Sequence, residues 1–305
     1  MRITQTDFEK IFGFLGNFTD KLLANGIQLE VLKKDELESA FLMHKQLMNR
    51  TLEVSGPARK KSWQDGWEEN LIELQARKKH SLIPKYFGKF PYIRFNQHFF
   101  GADKNTELRF LYCILLNEIE SVIKNFIPHR IIEFGCGTGH NLFFLSSYFP
   151  NLNFLGTDWA KSSAKIVELA LKHFGVHNVT SGFTFDYFNP NYNFDLNQND
   201  LVITVASLEQ VGETHKPFLD YLISKKPKRV LNIEPESSLL DFNNKVDKTS
   251  IDYMSKRGYL SGFLNELKSR EAQGQIRILK CQRSYLGSFP MDGYSVFLWE
   301  PVHEL

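Results

Sequence analysis

Apolar positions recur at two different spacings along this chain, and the change from one to the other divides it. Over residues 5–80 the spacing is three and four, which predicts helices. Phe8, Ile11, Phe12, Phe14, Leu15 and Phe18 form the first stripe, and Asn25-Gly26 stops it. A second helix is predicted over 33–52, with Leu37, Ala40, Phe41, His44 and Leu47 on one face and Gly56-Pro57 as its break. A third is predicted over 67–79, its basic end at 77–80 suiting the negative end of a helix dipole. From residue 105 the pattern alternates. A helix predicted over 105–126, carrying Leu108, Phe110, Leu111, Ile114, Leu115 and Ile119, leads into short apolar runs that begin at 130, 153, 181, 200 and 229. Helical stretches at 142–148, 160–173 and 216–224 separate them. Strands alternating with helices predict a parallel sheet covered on both faces. The last two runs, 275–284 and 294–300, are joined by a short segment with Pro290 and Gly293 and read as an antiparallel pair. The expectation is therefore an α/β fold: a mostly parallel, doubly wound sheet over 103–305 behind an α-helical N-terminal part over 1–102 that serves as a lid or extension.

Between the two parts, residues 83–101 hold seven aromatic side chains around Arg94 and His98. A linker this apolar must pack over something. It serves either as a clasp between the helical part and the sheet, or as a flap in which Tyr92 or Arg94 closes over a ligand.

With 42% apolar and 14% aromatic residues the chain can bury one large or two modest cores. A net charge of +2 provides no strong electrostatic footprint for a polyanion, so nucleic acid is unsupported as a partner. Cys113, Cys136 and Cys281 show no paired spacing for zinc or for a thiol redox motif. A reducing compartment is the simpler reading, and Cys136 reads as a packing residue. The N-terminus lacks the apolar core of a signal peptide, and no run reaches the roughly eighteen apolar residues of a membrane span. The expected location is cytoplasmic.

The chemistry gathers where the first strand of the alternating part meets its helix. Gly135, Gly137 and Gly139 follow the apolar run from Arg130, with Glu133 two residues before the first of them. Such a turn lets backbone approach a ligand with no Cβ in the way. A dinucleotide fingerprint would place its third glycine where His140 stands. A carboxylate at this strand end repels a pyrophosphate but suits an ammonium group. About twenty residues on, the next strand ends in Asp158, the position from which a βαβ unit reaches ribose hydroxyls. Asp186 ends the following run, where it would accept a hydrogen bond from an adenine amino group. The run from Asp200 opens onto Ser207-Leu-Glu-Gln210 on the same rim.

Glu133 with the three glycines, Asp158, Asp186 and the strand ending Ser207-Leu-Glu-Gln210 resemble the ordered motifs of class I S-adenosylmethionine-dependent methyltransferases over roughly residues 103–301. Residues 63–70, 232–235 and 256–260 are similar to an uncharacterised bacterial group of such enzymes. The resemblance implies a Rossmann-like fold and S-adenosylmethionine as cofactor. It places that cofactor on Glu133, Gly135, Gly137, Gly139, Asp158, Trp159 and Asp186. Arg94 would add a bidentate fork to the methionyl carboxylate, and His140 either lines the cleft or packs beneath it.

Methyl transfer to a hydroxyl needs a base near the rim. Glu209 and His215 are the catalytic candidates, and Glu234 qualifies by position too. Lys256 and Arg257 either hold an anionic acceptor or form a solvated helix face. The implied function is methyl transfer to a small-molecule acceptor, with sugars and anionic metabolites as candidates. A protein or RNA methyltransferase, and a non-catalytic cofactor-binding protein of the same fold, are the alternatives. Against RNA or protein stands the absence of an Asn/Asp-Pro-Pro-Tyr/Phe loop where Ser207-Leu-Glu-Gln210 lies.

Overall fold

The computed structural model describes residues 1–76 and 82–302. The basic run at 77–80 lies outside the described residues. The chain opens with β1 (Arg2–Ile3) and α1 (Gln5–Phe12), which starts on a reciprocal Thr4–Asp7 capping box and ends at Gly13 in the left-handed region. The next helix, α2 (Asn17–Leu22), has no capping side chain of its own. Glu120 supplies one from elsewhere, accepting the Phe18 and Thr19 backbone N–H groups at 2.8 and 2.9 Å. After β2 (Ile27–Gln28), which pairs with β1, come β3 (Glu30–Val31) and α3 (Lys34–Asn49). Then α4 (Lys60–Gln75) begins at Lys60, earlier than the predicted Trp67, because Pro57 starts a 3-10 turn that leads straight into it.

The aromatic linker folds into a hairpin, β4 (Tyr92–Phe95) and β5 (His98–Gly101). Its two-residue turn, Asn96-Gln97, has positive φ at both positions, the backbone twist that suits a tight antiparallel connection. β5 also pairs with β3. Next, α5 (Thr106–Asn125) buries a broad apolar face.

The alternating half follows as predicted in kind: β6 (Arg130–Phe134), α6 (His140–Tyr148), β7 (Asn153–Asp158), α7 (Lys161–Phe174), β8 (Val179–Thr184) and β9 (Asp200–Val205). It continues through α8 (Lys216–Lys225), β10 (Arg229–Glu234), α9 (Lys245–Arg257), α10 (Phe263–Ala272), β11 (Ile276–Gln282), β12 (Leu286–Ser288) and β13 (Ser295–Pro301). Among the described residues the main sheet has seven strands in the order β11-β13-β10-β9-β6-β7-β8. The five strands from β6 to β10 are parallel, and β13 runs antiparallel to both β10 and β11. The chain builds outward from β6 through β7 to β8, then jumps back to β9 on the other side of β6. A sheet whose order reverses in this way leaves a crevice at the carboxyl ends of the strands beside the reversal.

Two apolar layers cover the sheet. On one face Ile131, Phe154, Leu201 and Ile233 share a buried cluster with Phe110 and Ile114 of α5. Phe8, Phe12, Leu23, Ile27 and Leu29 belong to the same cluster, so residues before 102 and after 103 close one core. On the other face Phe134, Val202 and Val230 pack with Phe218, Leu222, Phe263 and Leu267 of α8 and α10. Trp67, Leu71 and Leu74 of α4 pack separately on Ala160, Ile166 and Ala170 at α7.

The hairpin is a clasp. β4 pairs with β12, so a small sheet of order β12-β4-β5-β3 joins the N-terminal part to the loop before β13. A buried ion cluster locks that loop, with Arg283 bridging Asp247 at 2.6 Å and Asp292 at 2.8 Å. Among the described residues no helix is long and apolar enough to cross a membrane.

Candidate functional site

A cavity of about 570 Å³ opens over the carboxyl ends of β6, β7 and β9, at the reversal of strand order. Its floor is the glycine turn. Gly135 has a φ of +73°, and a Cβ there would stand 2.5 Å from Ser207 Cβ and 2.8 Å from the Tyr187 hydroxyl. At Gly137, φ is +54° and a Cβ would meet Trp67 Cζ2 at 2.7 Å. Neither position admits a side chain without movement of its neighbours. The Gly135 and Cys136 N–H groups both donate to Thr157 O, at 2.7 and 2.9 Å, tying the turn to β7. Gly139 caps the N-terminus of α6 and does not line the cavity.

Two carboxylates frame this floor. Glu133, 1% exposed, accepts the Asn141 side-chain N–H at 2.7 Å on Oε1, while its Oε2 is buried with no hydrogen-bond partner. Burial, reinforced by Asp158 and Glu234, pushes its carboxyl up to about 8 although the Asn141 bond opposes the shift. A buried acceptor oxygen without a partner, in a residue lining a cavity, calls for a cation or another strong donor. Asp158 accepts the Gly137 N–H at 2.9 Å and the Ala160 N–H at 2.8 Å, and burial still lifts it to about 6. Trp159 lines the cavity beside it, stacked on Phe188.

The roof comes from the N-terminal part. Trp63 and Trp67 of α4 line the cavity together with Tyr86 and Phe90 from the segment before the hairpin. The sequence points to residues 1–102 as a lid, with Tyr92 or Arg94 closing over the ligand, and does not single out the tryptophans of α4 for that role. The Trp63–Trp67 spacing of four did mark one face of a helix, but nothing in it said that the face would cover the glycine turn.

Glu209, 5% exposed, also lines the cavity, with Oε1 accepting the Gln210 side-chain N–H at 2.7 Å and Oε2 buried without a partner. Burial and the nearby Glu234 push it up to about 8, against the pull of Arg257 and Arg59. Glu107, also on the cavity wall, accepts the Tyr294 hydroxyl at 3.1 Å and is raised by burial to about 7. It lies in the first turn of α5, where an acidic residue looks like ordinary helix-end chemistry, so its sequence carried no signal. His140 lines the cavity with Nδ1 at 3.2 Å from the Tyr112 hydroxyl, and burial lowers it to about 3, so the ring is neutral.

Several expected site residues lie elsewhere. Arg94 does not line the cavity. It sits on β4 opposite Gly287, and its guanidinium donates to Phe289 O, Val246 O, Pro290 O and Thr249 Oγ1, leaving no fork for a ligand carboxylate. His215 also lies outside. It packs edge-on against Phe263 with Nδ1 facing Gly212 O, so it is no candidate base. Asp186 falls two residues beyond the end of β8, in a loop that turns its carboxylate to Lys60 at 3.2 Å; Phe185 and Tyr187 line the cavity in its place. Glu234 accepts the backbone N–H groups of Ser207, Leu208 and Glu209, and so shapes the loop beneath Glu209 without lining the cavity. Lys256 reaches away to Met48 O, whereas its neighbour Arg257 lines the cavity. Cys136 is buried with its thiol pushed well up, which fits packing.

No protein-family model and no curated protein matches the sequence. Solved structures do. A methyltransferase described as S-adenosylmethionine-dependent, from Aquifex aeolicus, is similar over 62% of this chain and 92% of its own, with 15% identity and a TM-score of 0.42. The magnesium protoporphyrin IX methyltransferase of Synechocystis PCC 6803 with bound S-adenosylhomocysteine is similar over 64% of this chain and 86% of its own, with 12% identity and a TM-score of 0.48. The YcgJ protein of Bacillus subtilis is similar over 63% and 98%, with 13% identity and a TM-score of 0.42. By the order of its strands, the reversal at β6 and the antiparallel β13, the chain has the Rossmann-like, doubly wound fold expected from its sequence.

Proposed function

We propose that the chain is an S-adenosylmethionine-dependent methyltransferase acting on a small molecule. The observation that carries this reading is Glu133, a buried carboxyl whose Oε2 has no hydrogen-bond partner, in the lining of a cavity floored by a glycine turn. A carboxylate there fits the methionyl ammonium, and Asp158 at the end of β7 fits the ribose hydroxyls. The cofactor supplies a methyl group already activated on a sulfonium. The protein's part is to orient, to exclude water and to take up a proton.

Glu209 is the base in this reading, since it lines the cavity, its Oε2 has no hydrogen-bond partner and its raised affinity for protons suits that role. Residues of the first 102 act as the lid, through Trp63, Trp67 and Tyr86. A small acceptor is favoured because the cavity is roofed by this lid and walled by the locked loop before β13, which leaves a pocket of small-molecule size. A cytoplasmic location agrees with three cysteines that stand free.

The test is formation of S-adenosylhomocysteine by the full chain in cell extracts fractionated by molecular size. Product confined to the low-molecular-weight fraction is expected. Turnover only with the macromolecular fraction would overturn the acceptor class, and none with any fraction would favour a cofactor-binding protein without catalysis.

A further inference from the structure

Glu133 and Asp158 account for the proposed cofactor contacts, but two more buried charged groups line the same cavity. Arg257, 9% exposed, ends α9 and lines the cavity. Its guanidinium packs over the Tyr259 ring at 5.0 Å and makes no hydrogen bond to any described residue, with Nε buried and orphaned. Glu209 lines the same cavity, and its buried Oε2 has no hydrogen-bond partner. The two feel each other's charge yet form no ion pair. A buried guanidinium and a buried carboxylate normally close on one another, because each is costly alone. Here both are held back. Gln210 grips Glu209 on Oε1 while its own carbonyl accepts from Arg59 and the Trp63 indole, and Tyr259 supports Arg257 from beneath.

We infer that the methyl acceptor is an amino acid or close relative, whose carboxylate binds the Arg257 fork and whose amine meets Glu209, so that one zwitterion satisfies both orphaned groups. The inference rests on the methyltransferase reading and specifies its substrate. An arginine fork matches a carboxylate in two parallel hydrogen bonds. Tyr253, Tyr259, Tyr294 and Met291 line this region and give a small ligand apolar and aromatic surface. Arg257 ends α9 and Glu209 lies in the loop after β9, elements separate from the ends of β6 and β7 that carry Glu133 and Asp158. In the transfer step an ammonium proton passes to the Glu209 carboxylate. The freed nitrogen lone pair forms the N–C bond to the methyl carbon as the C–S bond breaks, and that electron pair stays on sulfur as a neutral thioether. The acceptor leaves as a methylammonium.

The test loads the full chain with S-adenosylhomocysteine and titrates it calorimetrically with the standard amino acids, comparing each binder with its decarboxylated amine and its 2-hydroxy acid. At least one amino acid is expected to bind, with both analogues weaker by about tenfold or more, the worth of a charge-assisted hydrogen bond. Arg257→Met should erase the difference between amino acid and amine, and Glu209→Gln that between amino acid and hydroxy acid. Both variants should keep their S-adenosylhomocysteine affinity, and Arg257→Lys should fall between wild type and Arg257→Met. Failure of every amino acid to bind, or an amine that binds as well as its parent, would overturn the inference. So would an Arg257→Met protein that loses S-adenosylhomocysteine, since the guanidinium would then serve the cofactor. A wild-type chain that does not bind S-adenosylhomocysteine at all would overturn the methyltransferase reading itself, and the inference with it.

Discussion

The ring of Trp67 lies over Gly137, so close that a Cβ on the glycine would stand 2.7 Å from the ring. A helix from the N-terminal part thus seals the turn on which the cofactor is proposed to rest. Gly137→Val adds a branched side chain at positive φ, which costs about 1–2 kcal/mol in backbone strain before any clash is counted. Loss of detectable S-adenosylmethionine binding in calorimetry, with the circular dichroism spectrum retained, is the expected outcome. Unchanged affinity would contradict the assignment of this turn.

Asp158 and Asp186 should separate cleanly. Asp158 is buried on the cavity wall, and Asp158→Ala should weaken cofactor binding by about 1.5–3 kcal/mol, the range for hydrogen bonds to a charged group. Asp186 faces Lys60 instead, so Asp186→Ala should change binding by less than about 0.5 kcal/mol, as surface substitutions usually do. Equal losses in the two variants, read by calorimetry, would contradict the placement of both.

The roof can be watched directly. Trp63, Trp67 and Trp159 line the cavity, while Trp299 is buried in the core on the α8 and α10 face. S-adenosylmethionine should therefore change tryptophan emission in a saturable way, and Trp63→Ala should speed cofactor release in stopped-flow. Binding without any change in emission would argue against a roof over the cofactor. Point substitutions are preferable to removing residues 1–80, because that cut would expose the core that Phe8, Phe12 and Leu23 share with Phe110 and Ile114.

Buried carboxyls with raised affinity for protons set the pH response, four glutamates most strongly. Glu133 and Glu209 rise from the ordinary 4.5 to about 8, and Glu107 and Glu234 to about 7, each chiefly through burial. All four bind a proton more tightly in the folded state than in the unfolded one. Between pH about 4.5 and about 8 the folded chain therefore holds more protons, and its stability falls as pH rises through that window. The melting temperature of the ligand-free protein should drop from pH 6 to pH 8.5. Saturating S-adenosylmethionine should reduce the drop by placing positive charge beside Glu133. A melting temperature that climbs over the same range would show that these groups are not buried as described.

The alternating half was legible because its strands are short apolar runs ending in polar rim residues, and those runs survive as β6, β7, β9 and β10. Glu133 and Asp158 were legible for the same reason, since strand ends fix which side chains meet at the rim. Arg94 misled because a cation amid aromatic residues looks alike whether it faces a ligand or a ring of backbone carbonyls, and only the pairing of β4 with β12 decides between them. His215 misled because position in the chain says nothing about which side of a loop packs. Trp67 and Glu107 reach the cavity from helices far apart in sequence, through tertiary contacts that no local spacing encodes, whereas Arg257, read from the sequence as holding an anionic acceptor or forming a solvated helix face, lines the cavity.

The central claim is that Glu133 and the glycine turn hold S-adenosylmethionine, and calorimetric titration of the full chain tests it most directly. The account predicts one S-adenosylmethionine bound per chain, no comparable binding of NADH, and an affinity loss of about 1.5–3 kcal/mol in Glu133→Gln as the charged partner of the ammonium is removed. Tighter binding of NADH than of S-adenosylmethionine, or full affinity in the Glu133→Gln protein, would contradict it.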